Sequence, residues 1–451
     1  MQVLEITGLQ IMIYKYLKYL LICTLIGNIP FSYAQSNTLS LEDAIAISNQ
    51  KNKELQLENS KGQATKFKIQ NAKNELYPDL NVLGNASRLD NIHQFENGVF
   101  NPSTRYDIPQ WQYGVEGELY MPIFEGGKIK NGIKIASIEN DIQTYNTKAQ
   151  QQNLKLSIIA VYLKALNIEE QLNILNRNIH QDSLNIAQSQ SMRNNGVITD
   201  NEVLRTQVQL NNHLIQHKDL TTQMYLVENE LKTTLSISLD SAISIDTRKM
   251  AQELYADFEY PTNMMNYGLV HNPKLNALEL QQEVSALETK VVTANKMPKI
   301  GFQSNYRFNY PNNLFFPRQE FAYRWGSAGI TLKMPLDQLF KNKAAVAISK
   351  QREIQASLNY EIEQQNLENK IAAALKQIEN ANYNIELTNA TVEQAKENYR
   401  LVRLRYANKL SLITELIDAD NTYLEMQSKL VQLKINKLYK YYQLQHLLGN
   451  I

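Results

Sequence analysis

The chain has one cysteine, Cys23, in 451 residues, so no intrachain disulfide is available and the fold must be held by packing. Proline is scarce, 11 in all, and none occurs between Ile123 and Tyr260, which leaves that stretch open to very long helices. Glycine is also sparse, at 16. Charge of one sign is missing: the net charge is +1 and the basic residues are scattered, so no electrostatic case exists for a nucleic-acid partner. Beyond the N-terminal segment no run of eighteen apolar residues appears, which excludes a later transmembrane helix. If the chain spans a membrane it does so with strands. No Ser-His-Asp, Cys-His or paired-carboxylate constellation suggests catalysis, so no enzyme activity and no cofactor is expected. Gly126-Gly127 reads as a turn, because no Lys-Ser/Thr follows at phosphate-loop spacing. With 43% hydrophobic and 20% charged residues, what remains is one large helical body rather than several compact globules.

What is present is a seam. At alternating steps of four and three run Leu367, Ile371, Ala374, Ile378, Ala381, Ile385, Thr388, Val392, Ala395, Tyr399, Val402 and Tyr406. Such a heptad stripe keeps one helix face buried against a neighbour over many turns. The same register recurs 213 residues earlier, from Leu154 through Ile158, Val161, Ala165, Ile168, Leu172, Leu175, Ile179, Asp182, Ile186 and Ser189 to Arg193. The chain therefore carries its long helix twice.

The N-terminus reads as an export signal over residues 1–34. Lys15 and Lys18 precede an apolar run from Tyr19 to Ile29, and Ser32-Tyr33-Ala34 supplies a cleavage site after Ala34. A start at Met12 serves as well as Met1. Cys23 lies inside the apolar run after Ile22, which is too large for a lipoprotein signal, so the thiol is discarded and the mature chain is formally neutral.

Ser40-Leu41-Glu42-Asp43 starts a helix that extends to about Asn74 before Pro78. Two stretches then alternate apolar and polar residues, about 80–92 and 110–121, and read as strands, the second closed by Pro122. A helix from about 128 to 192 is about 95 Å long at 1.5 Å per residue. Asn194-Asn195-Gly196 breaks it, Thr199 or Asp200 recaps, and a return helix runs over about 199–235.

The second half repeats this order. Pro298 matches Pro78 and Pro335 matches Pro122, with strands at about 299–310 and 321–334, a long helix at about 342–407 and a return helix at about 411–447. The strand after Phe321 changes phase near Gly326, which suggests a bulge. Loops containing Pro102 and Pro109, and Pro311 and Pro317, separate the strands of each half. The repeats are assigned to 35–250 and 251–451.

The opening and return helices of each half are each about half the long helix, so stacking them end to end beside it balances the bundle. Four strands cannot close a barrel, but three chains supply twelve, an allowed even number. Phe95, Phe100, Trp111, Phe315, Phe316, Tyr323 and Trp325 near the loops suit an interfacial aromatic girdle.

The export signal, the doubled order of elements, the matched prolines, Pro122-Ile123-Phe124-Glu125-Gly126-Gly127-Lys128 and the turn Asn195-Gly196-Val197-Ile198-Thr199 resemble the TolC family of outer-membrane efflux proteins. The resemblance covers essentially the whole mature chain. It implies an α+β fold: a homotrimeric twelve-stranded barrel in outer-membrane lipid, continued by an α-helical coiled-coil tunnel through the periplasm. It also implies an exit duct for a tripartite efflux pump or type I secretion system, working with a periplasmic adaptor (membrane fusion protein) and an inner-membrane transporter. The tip turns at Asn195, Gly196, Asn408 and Lys409 would form the tunnel entrance. Glu415 and Asp418 fall where family members carry acidic rings, and their spacing of three puts both on one helix face. The equivalent first-repeat positions are Glu202 and Arg205. Tyr406 matches a gating tyrosine, whereas Ser411 stands where a gating arginine is expected and Lys409 replaces the first turn's Gly196. The expected constriction is Glu415, Asp418 and Glu202, closed by Tyr406 and Lys409, with Arg405 a second candidate partner for Glu202.

Two competing classes explain less. A periplasmic coiled-coil structural or adaptor protein leaves the alternating strands without a purpose, and a glycan- or peptide-processing enzyme accounts only for the export signal. His213 and His217, four apart, have no third metal ligand nearby in sequence and read as a seam or surface pair. Asp182 interrupts the first seam where Ala395 continues the second. It reads as a register-setting polar break or as a tunnel-facing acid.

Overall fold

The computed structural model describes residues 37–256, 258, 260, 263–316 and 318–451. The expected export signal with Cys23, and Pro317, lie outside the described residues. The chain runs β1 (Asn37–Leu39), α1 (Leu41–Lys51), α2 (Lys53–Asn74), β2 (Asp79–Arg88), β3 (Ile92–Gln94), β4 (Thr104–Tyr106), β5 (Trp111–Phe124), α3 (Lys128–Asn194) and α4 (Asp200–Thr234). It continues as β6 (Ile243–Ile245), α5 (Arg248–Glu253), α6 (Met264–His271), α7 (Pro273–Ala294), β7 (Lys299–Tyr310), β8 (Tyr323–Lys333), α8 (Gln338–Ala407) and α9 (Ile413–Leu447).

The long helices α3 and α8 have 67 and 70 residues. At 1.5 Å per residue each is about 100 Å long. Leu367, Ile371, Ala374, Ile378, Ala381, Thr388, Val392, Ala395 and Tyr406 are the buried seam of α8, on the four-three spacing of its sequence. In α3 the seam is joined by Ile159, Tyr162, Leu163 and Leu166, because this segment is packed from several sides by α1, α4 and α9.

The opening helix is not continuous. It divides at Asn52, whose side chain accepts the Leu55 amide (3.0 Å) to cap α2 and donates to the Thr234 carbonyl (2.9 Å) at the end of α4. One residue thus satisfies orphan groups on two helix ends and stacks α2 on α4 along α3. Asn272 does the same in the second half. It accepts from the Lys274 and Leu275 amides (3.0 and 3.1 Å) and donates to the Leu447 carbonyl (3.0 Å), joining α7 to α9 beside α8.

The four-stranded antiparallel sheet has the order β2-β5-β7-β8. Two further sheets were not legible in the sequence. The β3–β4 hairpin occupies the loop after β2, so the first strand ends at Arg88 rather than about 92. The parallel pair β1–β6 lies against the helical core, where the Tyr162 hydroxyl donates to the carbonyls of Leu39 and Ser40 (both 2.8 Å).

Two strand details differ from expectation. Pro122 does not close β5; the strand continues to Phe124 and the register against β7 shifts between Pro122 and Phe124. A residue without an N–H is tolerated there because the bulge leaves a ladder position unpaired. No shift occurs at Gly326, since β7 and β8 pair in one register from Lys299–Lys333 to Asn309–Tyr323. The apparent change of phase comes from side chains: Tyr323 and Trp325 lie on the polar face, opposite Ala328, Ile330 and Leu332.

Ile371, fully buried in the α8 seam, is expected to lose about 2–5 kcal/mol of stability on Ile371→Ala. Leu412→Ala, at an exposed tip position, is expected to stay within about 0.5 kcal/mol. Thermal unfolding of the full chain in detergent compares the two, and equal midpoints would show that the seam is not what holds the helices.

Candidate functional site

The two ends of the molecule carry different chemistry. At one end the sheet is covered on neither face. Leu80 and Val82 of β2, Val115 of β5, Phe308 of β7 and Ile330 and Leu332 of β8 share one face, with Val82 80% and Ile330 72% exposed. The other face is polar. Glu116 accepts a bidentate pair of bonds from Arg307 (Nε–Oε2 2.9 Å, Nη2–Oε1 2.7 Å), and the Arg307 guanidinium lies 5.9 Å from the Trp325 ring centroid. Among the described residues both outer strands, β2 and β8, present an unpaired edge. After β5 the chain turns through Gly126 and Gly127, at φ +64° and +85°. A Cβ on Gly126 would stand 2.7 Å from the Met297 Cβ, so the turn that aims α3 away from the sheet requires glycine.

At the other end each long helix closes with the same reversal. In the first, the Gly196 amide bonds to the Arg193 carbonyl and the Val197 amide to the Met192 carbonyl, both at 2.9 Å. In the second, Lys409 bonds to Tyr406 (3.0 Å) and Leu410 to Arg405 (2.8 Å). Both are paired-bond helix stops whose central residue is left-handed. Gly196 accepts that conformation freely at φ +71°, whereas Lys409 holds it at +62° despite its side chain. Asn195 and Asn408 each donate to the carbonyl four residues back (Ser191 and Leu404, both 2.9 Å).

Of the expected site residues, Tyr406 alone is buried. It packs on Ile413 and Leu416, and its hydroxyl has no hydrogen-bond partner among the described residues. Burial pushes that hydroxyl's pKa up against the nearby Ser189 hydroxyl, which lies outside hydrogen-bond geometry, and the Glu202 charge adds to the rise. Beside it lies a cavity of about 420 Å³ whose lining includes Ser189, Arg403, Tyr406 and Leu416. Glu415 and Asp418 are exposed on the first turns of α9, Lys409 is exposed on the turn, and Glu202 is half-buried on α4. Among the described residues none of these four forms an ion pair within the chain. Arg405 donates to the Leu410 carbonyl (3.1 Å), bracing its own turn.

The structure also assembles a group that the sequence did not join. Asp182 of α3 and His213 of α4 meet with Nδ1 and Oδ2 2.6 Å apart, both nearly fully buried at 3% and 2% exposure. His213 Nε2 stands 3.2 Å from the Gln209 amide nitrogen, which donates to Asn421 Oδ1 of α9 at 2.6 Å. A ring with its proton on Nδ1 satisfies every member: it donates to Asp182 and accepts from Gln209. Asp420, next to Asn421, is also buried. Burial, followed by the Asp182 charge, pushes its carboxyl up to about 6, against the pull of His213 and Arg403. Tyr399 of α8, half-buried with its hydroxyl buried and unpartnered, is pushed up to about 12 by burial and then by Asp420. The only signals in the sequence were Asp182 in an apolar seam and a histidine at a seam position. Their separation of 31 residues hid the pairing. Among the described residues no group of three or more His, Cys, Asp or Glu is placed to hold a metal ion, and no helix is long and apolar enough to cross a membrane.

Three solved structures share this fold at low identity. A channel-forming protein, CusC, aligns with a TM-score of 0.76 at 16% identity, over 91% of this chain and 92% of that one. The outer membrane protein VceC of Vibrio cholerae aligns at 0.73 and 15% identity, over 91% and 96%. The open state of the Neisseria gonorrhoeae MtrE outer membrane channel aligns at 0.71 and 16% identity, over 91% and 88%. Comparison with curated proteins finds no match. The model of the outer membrane efflux protein family matches in two segments, residues 45–236 and 266–450, most of the chain. The protein belongs to the outer membrane efflux protein family.

Proposed function

We propose that this protein is the outer-membrane exit duct of a tripartite efflux pump or type I secretion system. The observation that carries the reading is the four-stranded sheet: one face apolar and exposed, the other polar, and both edges free. A sheet in that condition aggregates in water unless its edges are paired and its apolar face is covered. Closure with two further copies satisfies both demands, giving twelve strands with lipid outside and the Glu116–Arg307 face toward a lumen. Strands of 10 to 14 residues fit a tilted membrane span. The helices, about 100 Å long, then continue the lumen through the periplasm toward an adaptor and an inner-membrane transporter. In this reading residues 1–34 are the signal removed on export, and 35–250 and 251–451 are tandem repeats. The two matched family segments and the paired Asn52 and Asn272 joints support the repeat.

At the tip, Glu415, Asp418 and Glu202 form charge rings around the axis, and Lys409 and Tyr406 close them. The support is positional. Both carboxylates of α9 are exposed on one helix face, and Lys409 holds a backbone conformation that glycine would adopt at lower energy. Substrate passage through such a mouth has no chemical step. The duct supplies a route and a filter, and energy comes from the transporter.

Outer-membrane fractions run without boiling are expected to show a heat-modifiable trimer, and recovery of a soluble monomer would overturn the reading. For the tip, Lys409→Gly keeps the turn and removes the charge, relieving about 1 kcal/mol of backbone strain. In planar bilayers it is expected to raise conductance and cation preference, while Asp418→Asn lowers cation preference. If both variants match the parent channel, these residues do not form the mouth.

A further inference from the structure

The open edges of the sheet, β2 and β8, run antiparallel to each other, because each of the three ladders between them is antiparallel. A second copy can therefore extend the sheet by laying its β2 beside β8 of the first. Leu80 and Val82 stand on the apolar face with Ile330 and Leu332. The apolar faces join only when even-numbered residues of β2 meet even-numbered residues of β8, so the permitted registers differ by steps of two residues. One of them sets all 10 residues of β2, Asp79 to Arg88, against Lys333 to Arg324. Leu80 then faces Leu332, and Val82 faces Ile330. On the polar face Asp79 meets Lys333, both exposed and without an ion partner among the described residues. Within its own copy Lys333 lies opposite Lys299, which is paired with Glu125 (2.9 Å), so the acid that Lys333 lacks is supplied by the second copy. At the far end Arg88 falls opposite Arg324, but Gln110 holds the Arg88 guanidinium toward β5, away from the open edge (Nη2–Oε1 2.8 Å).

We propose that neighbouring copies join in this register, with Asp79 of one copy and Lys333 of the next forming an ion pair on the polar side of each seam. The inference rests on the duct reading and deepens it, by naming the residues that bring the copies together. Strand tilt supports the same register. Leu80 lies opposite Leu119, Leu119 opposite Ser304 and Ser304 opposite Ala328. Ala328 then meets Gly84 of the next copy, so the ladder climbs from Leu80 to Gly84 over four strands. A climb of about 13 Å over four spacings of about 4.8 Å tilts the strands by about 35°, inside the range that closes a barrel. Slipping by two residues one way puts Asp79 against Thr331 and halves the climb, which lowers the tilt to about 20°. Slipping the other way puts Asp79 against Pro335, beyond the end of β8. Asp79 opens β2 just after α2, and Lys333 ends β8 just before α8, so the pair pins each seam where the sheet meets the helices.

The test uses full-length chain carrying Cys23→Ser in outer-membrane fractions. Leu89 donates its amide to the Gln110 carbonyl (2.7 Å), so odd-numbered residues of β2 direct their backbone groups to β5. At the open edge they form the non-hydrogen-bonded pairs, whose opposite Cα atoms are about 4.5 Å apart, a distance that suits a disulfide. Leu83 is exposed, and a Cβ on Gly329 meets open space. Leu83→Cys with Gly329→Cys is therefore expected to give covalent dimers and trimers under mild oxidation. Leu83→Cys with Ser327→Cys, or with Thr331→Cys, matches the slipped registers and is expected to give several-fold less. Two intervening strands keep these positions apart within one copy, so every such disulfide reports a seam. Asp79→Lys and Lys333→Asp are each expected to lower the temperature at which the unboiled trimer dissociates, and the double reversal to restore it. Cross-linking strongest through a slipped pair, or a double reversal that adds the two losses, overturns the seam and leaves the duct standing. Absence of any oligomer overturns the duct, and the seam with it.

Discussion

Everything in this structure depends on covering an apolar stripe about 60 Å long on each of two helices that are themselves about 100 Å long. Among the described residues no other helix is as long as these two, so shorter helices laid end to end cover each stripe. Such a joint is costly, since it brings a helix C-terminus with unpaired carbonyls against an N-terminus with unpaired amides. Asn52 and Asn272 resolve it by capping one helix while donating to the last turn of the other. A side chain with an acceptor and a donor on one amide is suited to that task, which an aspartate or serine would perform only in part.

The stripes are covered by neighbouring helices, while Ile354, Leu358, Ile362 and Leu404 of α8 stay exposed. The sheet is left with an apolar face and two edges that nothing among the described residues satisfies. The polar face is organised instead, through the Glu116–Arg307 pair and the Trp325 ring beneath it. The molecule thus separates two uses of apolar surface: seam residues that pack on protein, and strand residues that suit lipid. The glycine turn at Gly126 and Gly127 divides one from the other.

A polar break in a buried stripe is tolerated only where its partners are fully supplied. Asp182 is such a break, and His213, Gln209 and Asn421 supply it across three helices. The corresponding position of the second seam, Ala395, needs nothing and gets nothing. The two hairpins therefore share a scaffold but differ in the chemistry they carry near the tip, as the glycine and lysine of their turns also do.

The helices, their seams and tip breaks, and the four long strands were legible from the sequence because each is a local periodic pattern. A repeat of three and four along Leu367 to Tyr406, or of two along Ile300 to Tyr310, records which face is buried whatever it is buried against. Proline and phase were weaker guides: Pro122 sits inside a strand because a bulge excuses its missing donor, and Trp325 left the apolar face because an arginine across the sheet gave its ring a partner. What only the tertiary structure decided was pairing over distance. The strand order β2-β5-β7-β8, the reach of Asn52 to Thr234, the docking of Tyr162 on β1 and the meeting of Asp182 and His213 all join residues that no local period relates. They depend on where the chain returns after a helix of some hundred ångströms, and that is settled by packing of the whole bundle rather than by any one segment of it.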